Sequence, residues 1–183
     1  EGHWLKTGAE VCIIGAGGSA LSISAYLGNE ERHGKDLPSR IHLNNRSAPR
    51  LAEGVRILEY LNVPMSYHLC KTPELNDRIV EALPGRLLVI NTTGLGKDRP
   101  GSPVSTDHCK FPENGLVWEL NYRGTLEFMH QAEAQRERRG ASDRGRLDIL
   151  YPWLDPGDRR GLPHRHHRRA AGRLRPAARE MRK

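Results

Sequence analysis

The feature that most constrains this chain lies near its start, where Val11-Cys-Ile-Ile14, a run with no charged or amide side chain, stops at Gly15-Ala-Gly-Gly-Ser-Ala20. An uninterrupted apolar run suits a parallel strand covered on both faces. Glycines directly after it permit a sharp turn and let a ligand approach bare backbone. A helix over about residues 18–27 would then aim its first amides and the positive end of its dipole at an anion. The spacing follows G-x-G-x-x-G/A, with Ala20 in the last position, where a small residue lets the helix pack on the strand. The pattern predicts a dinucleotide site. Gly15 takes the turn, Gly17 and Gly18 leave room for phosphates, and Ala16 and Ser19 complete the loop.

A second strand, Ile41-His-Leu-Asn-Asn45, ends about thirty residues past the glycines, where a βαβ unit presents its ribose-reading side chain. A carboxylate there would bind both ribose hydroxyls and repel a 2′-phosphate. Instead the chain offers Asn45-Arg46-Ser47-Ala-Pro-Arg50, with two guanidiniums and a hydroxyl. Positive charge at the positive end of a helix is locally unfavourable, so an anionic partner accounts for it better than solvent does. The residues favour NADP over NAD.

The alternation continues. A helix over 47–61 carries Leu51, Val55, Leu58 and Leu61 on one face, and a strand follows over 65–70. Thr72 can cap a helix that starts at Pro73 and bears Leu75, Ile79, Val80 and Leu83 as its apolar stripe. Strands at 87–90 and 116–120 complete the series. Strands alternating with helices of this length predict an α/β fold: a Rossmann-type doubly wound parallel sheet with helices on both faces. Asn91-Thr92-Thr93-Gly94 and Asn121-Tyr122 then sit at strand carboxyl ends, where such sheets bind ligands.

In order and spacing, Gly15 to Ala20, Asn45-Arg-Ser-x-x-Arg50, Asn91-Thr-Thr-Gly-Leu95 with Pro100-Gly-Ser-Pro103, and Asn121-Tyr122 followed by Thr125 resemble the nucleotide-binding domain of shikimate and quinate dehydrogenases. The likeness spans about residues 3–135. It implies that Asn91, Thr92, Thr93, Gly94 and Leu95 line the nicotinamide side of the crevice, with Tyr122 near nicotinamide and substrate. It also implies that the full-length enzyme reversibly reduces 3-dehydroshikimate to shikimate. Family members carry the Lys and Asp that transfer protons in an amino-terminal domain, so the expectation for this chain is cofactor binding without turnover, its substrate domain missing. Two alternatives stay open: a non-catalytic NADP-binding regulatory module, and the nucleotide domain of another NADP-dependent dehydrogenase.

The loop 94–114 is long for a compact domain and rich in Pro and Gly, which marks a functional surface loop. Lys97, Asp98 and Arg99 within it read as solvated charges rather than a catalytic pair.

The net charge of +7 suggests a nucleic-acid binder until it is divided. Residues 136–183 hold fourteen Arg and one Lys against six acids, which leaves residues 1–135 with fourteen basic and sixteen acidic groups. The domain boundary is therefore expected at 139/140, with a Rossmann domain before it and a basic Arg/Pro-rich tail after it that shows no helical or strand period. The tail lacks the aromatic interleaving of a base-stacking surface, so a nucleic-acid partner is not expected. Read one base later, the codons for Gly145 to Pro163 permit Asp-Gly-Trp-Ile-Tyr-Phe-Ile-His-Gly-Trp-Thr-Gln-Val-Ile-Ala-Glu-Val-Phe, which resembles the closing helix of the same dehydrogenases. A frameshift between Gln135 and Ser142 is the expectation, and unshifted frames in independently sequenced copies would dispose of it. Loss of that helix would expose an apolar face, and a homodimer could cover it.

Cys12, Cys70 and Cys109 have no paired spacing, which suits a reduced, cytoplasmic protein. His164, His166 and His167 lie among arginines that oppose a cation, so no metal is expected. No apolar run reaches membrane-spanning length.

Overall fold

The computed structural model describes residues 3–105, 108–140 and 147–150. In chain order its elements are α1 (His3–Thr7), β1 (Val11–Ile14), α2 (Gly18–Leu27), α3 (Glu30–His33), β2 (Ile41–Asn45), α4 (Ala48–Leu58), β3 (Met65–Leu69), α5 (Pro73–Ala82), β4 (Leu88–Asn91), β5 (Gly115–Glu119), α6 (Glu127–Gly140) and β6 (Leu147–Leu150). The strands form one sheet in the order β3-β2-β1-β4-β5-β6. Every pairing is parallel. This is the doubly wound order expected from the alternation, and it reverses direction between β1 and β4.

Register assigns the two faces. Val11 pairs with Ile41 and Leu88, and Ile13 with Leu43 and Ile90, so these side chains share one face. They pack with Ala20, Leu51 and Leu58 from α2 and α4 into the main apolar cluster. Gly54 of α4 lies against the sheet, where a Cβ would stand 3.0 Å from Leu43 Cδ2. The opposite face is more polar: Cys12, His42, Asn44, Asn91 and Glu119 are all buried on it. Glu10, His42 and His68 form a chain of hydrogen bonds there, 2.9 Å from Glu10 Oε2 to His42 Nε2 and 3.0 Å from His42 Nδ1 to His68 Nε2.

Three expectations are corrected. On α4 the buried positions are Leu51, Gly54 and Leu58, while Val55 is exposed and Leu61 lies past the end of the helix: Gly54, which has no side chain for an apolar pattern to detect, is the residue that meets Leu43 and Leu21. On α5 the buried residues include Asn76 and Asp77 beside Val80, because the covered groups are backbone donors and acceptors of the following loop rather than hydrocarbon. Thr72 occupies the N-cap of α5 but makes no side-chain capping bond, its hydroxyl turning to Glu74 instead.

The tail expectation also changes. β6 falls inside the segment where no strand was anticipated, pairing with β5 and burying Leu147 and Ile149 while Leu150 stays exposed. Leu-Asp-Ile-Leu alternates over only four residues, too few to stand out beside the arginine-rich sequence around it. Residues 151–183, with the rest of the tail and its three histidines, lie outside the described residues.

Candidate functional site

A cleft of about 650 Å³ opens at the carboxyl ends of β1, β2 and β4, over the point where the strand order reverses. Its floor is the glycine turn. Gly15 has φ +126°, and a Cβ on it would overlap the Thr92 hydroxyl, so glycine is demanded by the fold itself. Gly17 and Gly18 differ: a Cβ on either meets nothing within 4 Å. Their missing side chains leave a cradle that the protein does not fill. Gly17 is the N-cap of α2 and has no side-chain cap, so the first amides of α2 face the cradle without a protein acceptor from that side chain. The donors suit a pyrophosphate, and the residues fit the group expected there.

The second wall is cationic. Asn45 Oδ1 accepts from Ser47 N–H at 2.8 Å, which shapes the turn into α4 and brings Arg46, Ser47 and Arg50 to the cleft. Ser47 makes no side-chain capping bond, and the first turn of α4 contains no acid. Lys71, just past β3, lines the same wall. Among the described residues no ion pair engages Arg46, Arg50 or Lys71.

At the opposite end a buried network sets the β4 terminus. Glu119 is fully buried, and burial pushes its carboxyl above the usual carboxylate range although several hydrogen bonds work the other way. Asn91 Nδ2 donates to both Glu119 oxygens at 3.0 and 2.9 Å, and Asn121 N–H donates to Oε1 at 2.9 Å. The Asn91 carbonyl accepts from Thr93 N–H at 2.9 Å and from its hydroxyl at 2.7 Å. Thr92 donates its hydroxyl to Ile14 O at 2.9 Å, tying β4 to β1 across the reversal.

The long loop after β4 forms the outer wall through residues 94–103. Amide and carboxylate side chains pin it down. Asn76 accepts from Asn44 and donates to Pro103 O, while Asp77 accepts from Ser105 N–H and from the Ser105 hydroxyl. From α6, Gln135 brackets the loop by donating to Cys109 O and accepting from Phe111 N–H, and Ser102 donates to Gln131. Gly124, at φ +93°, presses so closely on Gly96 that a Cβ would overlap its carbonyl.

Of the expected site residues, Gly15, Ala16, Gly17, Asn45, Arg46, Ser47, Arg50, Thr92, Thr93, Gly94 and Leu95 line the cleft together. Gly18 and Ser19 open α2 behind it. Ala20 is buried against the sheet, and Asn91 lies below the surface as the support just described. Tyr122 is 64% exposed on the rim, with the Lys97 ammonium 5.5 Å and the Arg123 guanidinium 5.7 Å from its ring centre. Asp98 lies 3.6 Å from Lys97 and 3.5 Å from Arg123, so the loop charges form a cluster rather than isolated solvated groups. Sequence reasoning missed Lys71 and Asn76, which reach the cleft only through tertiary pairing, and quoted Ser102 only within the Pro100–Pro103 block of the long loop. Cys70 also lines it, but burial pushes its thiol up to about 11, which makes it a poor nucleophile. Among the described residues, no cluster of side chains has metal-binding geometry, and no helix is long and apolar enough to cross a membrane.

No family model and no curated protein matches the sequence. Solved structures do. The chain is similar to the ligand-free 5-ketofructose reductase of Gluconobacter sp. strain CHM43, at 19% identity and a TM-score of 0.50, over 82% of this chain and 50% of the reductase. At that identity the likeness is one of fold. An Ael1 enzyme from Pseudomonas putida (18% identity, TM-score 0.47, 78% of this chain, 43% of the enzyme) is a further solved structure of this kind. So is the shikimate dehydrogenase of Mycobacterium tuberculosis (15% identity, TM-score 0.45, 77% of this chain, 44% of the enzyme). The chain spans about half the length of these proteins or somewhat less.

Proposed function

We propose that this chain is the NADP-binding domain of an oxidoreductase of the shikimate or quinate dehydrogenase type. The observation that carries the cofactor preference is the cluster of Arg46, Arg50 and Lys71, which share one wall without a carboxylate partner beside the uncapped start of α4. An anion there would meet two guanidiniums, an ammonium and the free Ser47 hydroxyl. A 2′-phosphate on the ribose fits that wall, and a bare ribose diol would leave the cations unmatched.

Bound NADPH supplies a hydride. The chain's own residues hold and orient the carrier: the α2 amides and the cradle at Gly17 and Gly18 take the pyrophosphate, the cationic wall takes the 2′-phosphate, and Thr92 and Thr93 meet the nicotinamide. Hydride transfer also needs an acid or base in reach of the substrate hydroxyl. The reading assigns that group to a separate substrate domain, so this chain alone binds cofactor without turning over 3-dehydroshikimate or shikimate. The buried thiols accord with a reducing, cytoplasmic setting.

Calorimetric titration with NADP and NAD tests the cofactor assignment. Replacing Arg46, Arg50 or Lys71 by Ala should cost NADP about 1.5–3 kcal/mol, roughly ten- to a hundredfold, for each charged hydrogen bond lost, with NAD little changed. Equal losses for both cofactors would remove the phosphate assignment. Turnover restored by a separately supplied substrate domain would distinguish an enzyme half from a regulatory module.

A further inference from the structure

We infer that the hydrogen-bond chain of Glu10, His42 and His68 is an acid-sensitive latch: it holds the edge strand β3 in the sheet while the two imidazoles carry at most one charge, and releases it when both are charged. None of the three residues lines the cofactor cleft.

Hydrogen-bond direction gives the latch its states. Among the described strands β3 stands at the edge and pairs with β2 alone. On the polar face two side-chain bonds add to that ladder, Arg40 Nη1 donating to Ser66 Oγ at 3.1 Å and the imidazole pair meeting at 3.0 Å. The rings are 17° from parallel with centres 5.3 Å apart, so the facing nitrogens lie between the centres and point at one another. An ionised Glu10 only accepts, so His42 Nε2 carries a proton, and in the neutral ring His42 Nδ1 offers its lone pair to His68 Nε2–H. One added proton leaves the chain intact: His42 becomes an imidazolium that donates at both nitrogens, and His68 accepts on Nε2 with its own proton on Nδ1. A second proton sets N–H against N–H. The bond is then lost, and two like charges meet across the strand pair.

The surroundings oppose that second charge. His42 is 5% exposed, whereas His68 is half-buried and open to protons from solvent. Burial first, and the neighbouring His42 ring second, hold the His68 pKa below the ordinary histidine range. Arg40 adds a positive charge on the same face, and burial pushes the Cys12 and Cys70 thiols up, which keeps them neutral. From α5, Asp77 is turned to Ser105, while Glu74, Arg78 and Glu81 are exposed. Once both rings are solvated, the opened strand binds one proton more than the closed one, so opening gains as pH falls. Cys70 N–H extends the ladder to Asn45 O at 2.9 Å, and Lys71 follows it on the cleft wall, so release of β3 carries that wall away with it.

The test is hydrogen exchange followed by NMR on the full chain from pH 8 to pH 5, expressed as protection factors. Protection of the β3 amides and of Cys70 should fall about tenfold per pH unit below about 6.5, one proton for each opening, while Val89 and Ile90 of β4 keep theirs. His68→Gln can still bond His42 and does not titrate, so it should remove the decline, and His130→Gln should leave it in place. Ring nitrogen spectra of the unaltered chain give a second reading: at pH 8 both imidazoles should be Nε2–H tautomers. The inference is overturned by constant protection of β3, by an equal fall in β4, by a decline that survives His68→Gln, or by a His42 ring protonated on Nδ1 alone at pH 8.

Discussion

Replacing two glycines of one turn by alanine should give opposite outcomes, because one serves the fold and the other serves the ligand. Gly15 sits at φ +126°, and a Cβ there would overlap the Thr92 hydroxyl that bonds Ile14 O. Placing Ala in that conformation costs about 1–3 kcal/mol, and losing the threonine bond adds about 1 kcal/mol, for a total of about 2–4 kcal/mol. For a domain of this size the melting temperature should fall by roughly 6–12 °C. Gly17 has φ −90° and ψ −175°, extended backbone that alanine adopts freely, and its Cβ would meet nothing within 4 Å. Gly17→Ala should therefore melt within a few degrees of the unaltered chain, since the narrower unfolded ensemble offsets the poorer N-cap that alanine makes. Ligand linkage separates the two further. NADP at about a hundred times its Kd stabilises a binding-competent chain by about 2.7 kcal/mol, a shift of roughly 8 °C. A methyl group in the cradle should abolish most of that shift in Gly17→Ala. The assay is a thermal melt of each variant with and without NADP, followed by circular dichroism. The reasoning fails if Gly17→Ala keeps the full NADP shift, or if it melts as low as Gly15→Ala.

The raised pKa of Glu119 has a definite sign in stability. Its proton is held more tightly in the folded chain, so the contribution is fully present below the unfolded carboxyl pKa and is lost as pH rises through the folded value. Glu119→Gln should flatten stability against pH in that interval, as read from denaturant midpoints at a series of pH values, and an unchanged slope would assign the slope to other groups. Removing the acceptor in Asp77→Ala should cost about 1–3 kcal/mol by leaving Ser105 N–H without its partner. Hydrogen exchange should then quicken across residues 100–105 and spare β1, and uniform quickening would mean global destabilisation instead.

What could be read from sequence was local. The apolar runs at β1 and β4 are buried along their whole length, so their composition alone marks them as covered on both faces, whereas β2 is buried as deeply with His42 and Asn44 in it, which composition does not announce. The glycine turn announces itself because backbone constraints act within a few residues. Sequence reading left the outer wall of the cleft unresolved for a physical reason. Asn76 and Asp77 sit mid-helix with Arg78 beside them and look like a solvated face, yet their partners are 27 and 28 residues away. Gln131 and Gln135 on α6 pose the same problem. Periodicity detects hydrocarbon, and these contacts bury none; they replace the ladder partners that a loop lacks.

The same reasoning explains why the chemistry of the β4 end was invisible while its residues were not. Asn91, Thr92 and Thr93 stand out as polar groups at a strand end, and nothing in their order says which atoms they turn to a ligand. The Asn91 amide is oriented by Thr93 N–H, which needs its carbonyl, while Glu119, which enters from the neighbouring strand in register with Asn91, receives its NH₂. A buried carboxylate accepts and does not donate when ionised, so it forces the Asn91 NH₂ toward itself and the carbonyl toward Thr93. If Glu119 held its proton instead, the Asn91 orientation would persist, because Thr93 N–H still requires the carbonyl. Titration of Glu119 should thus change stability without turning the Asn91 amide, whose carbonyl stays with Thr93 N–H at every pH.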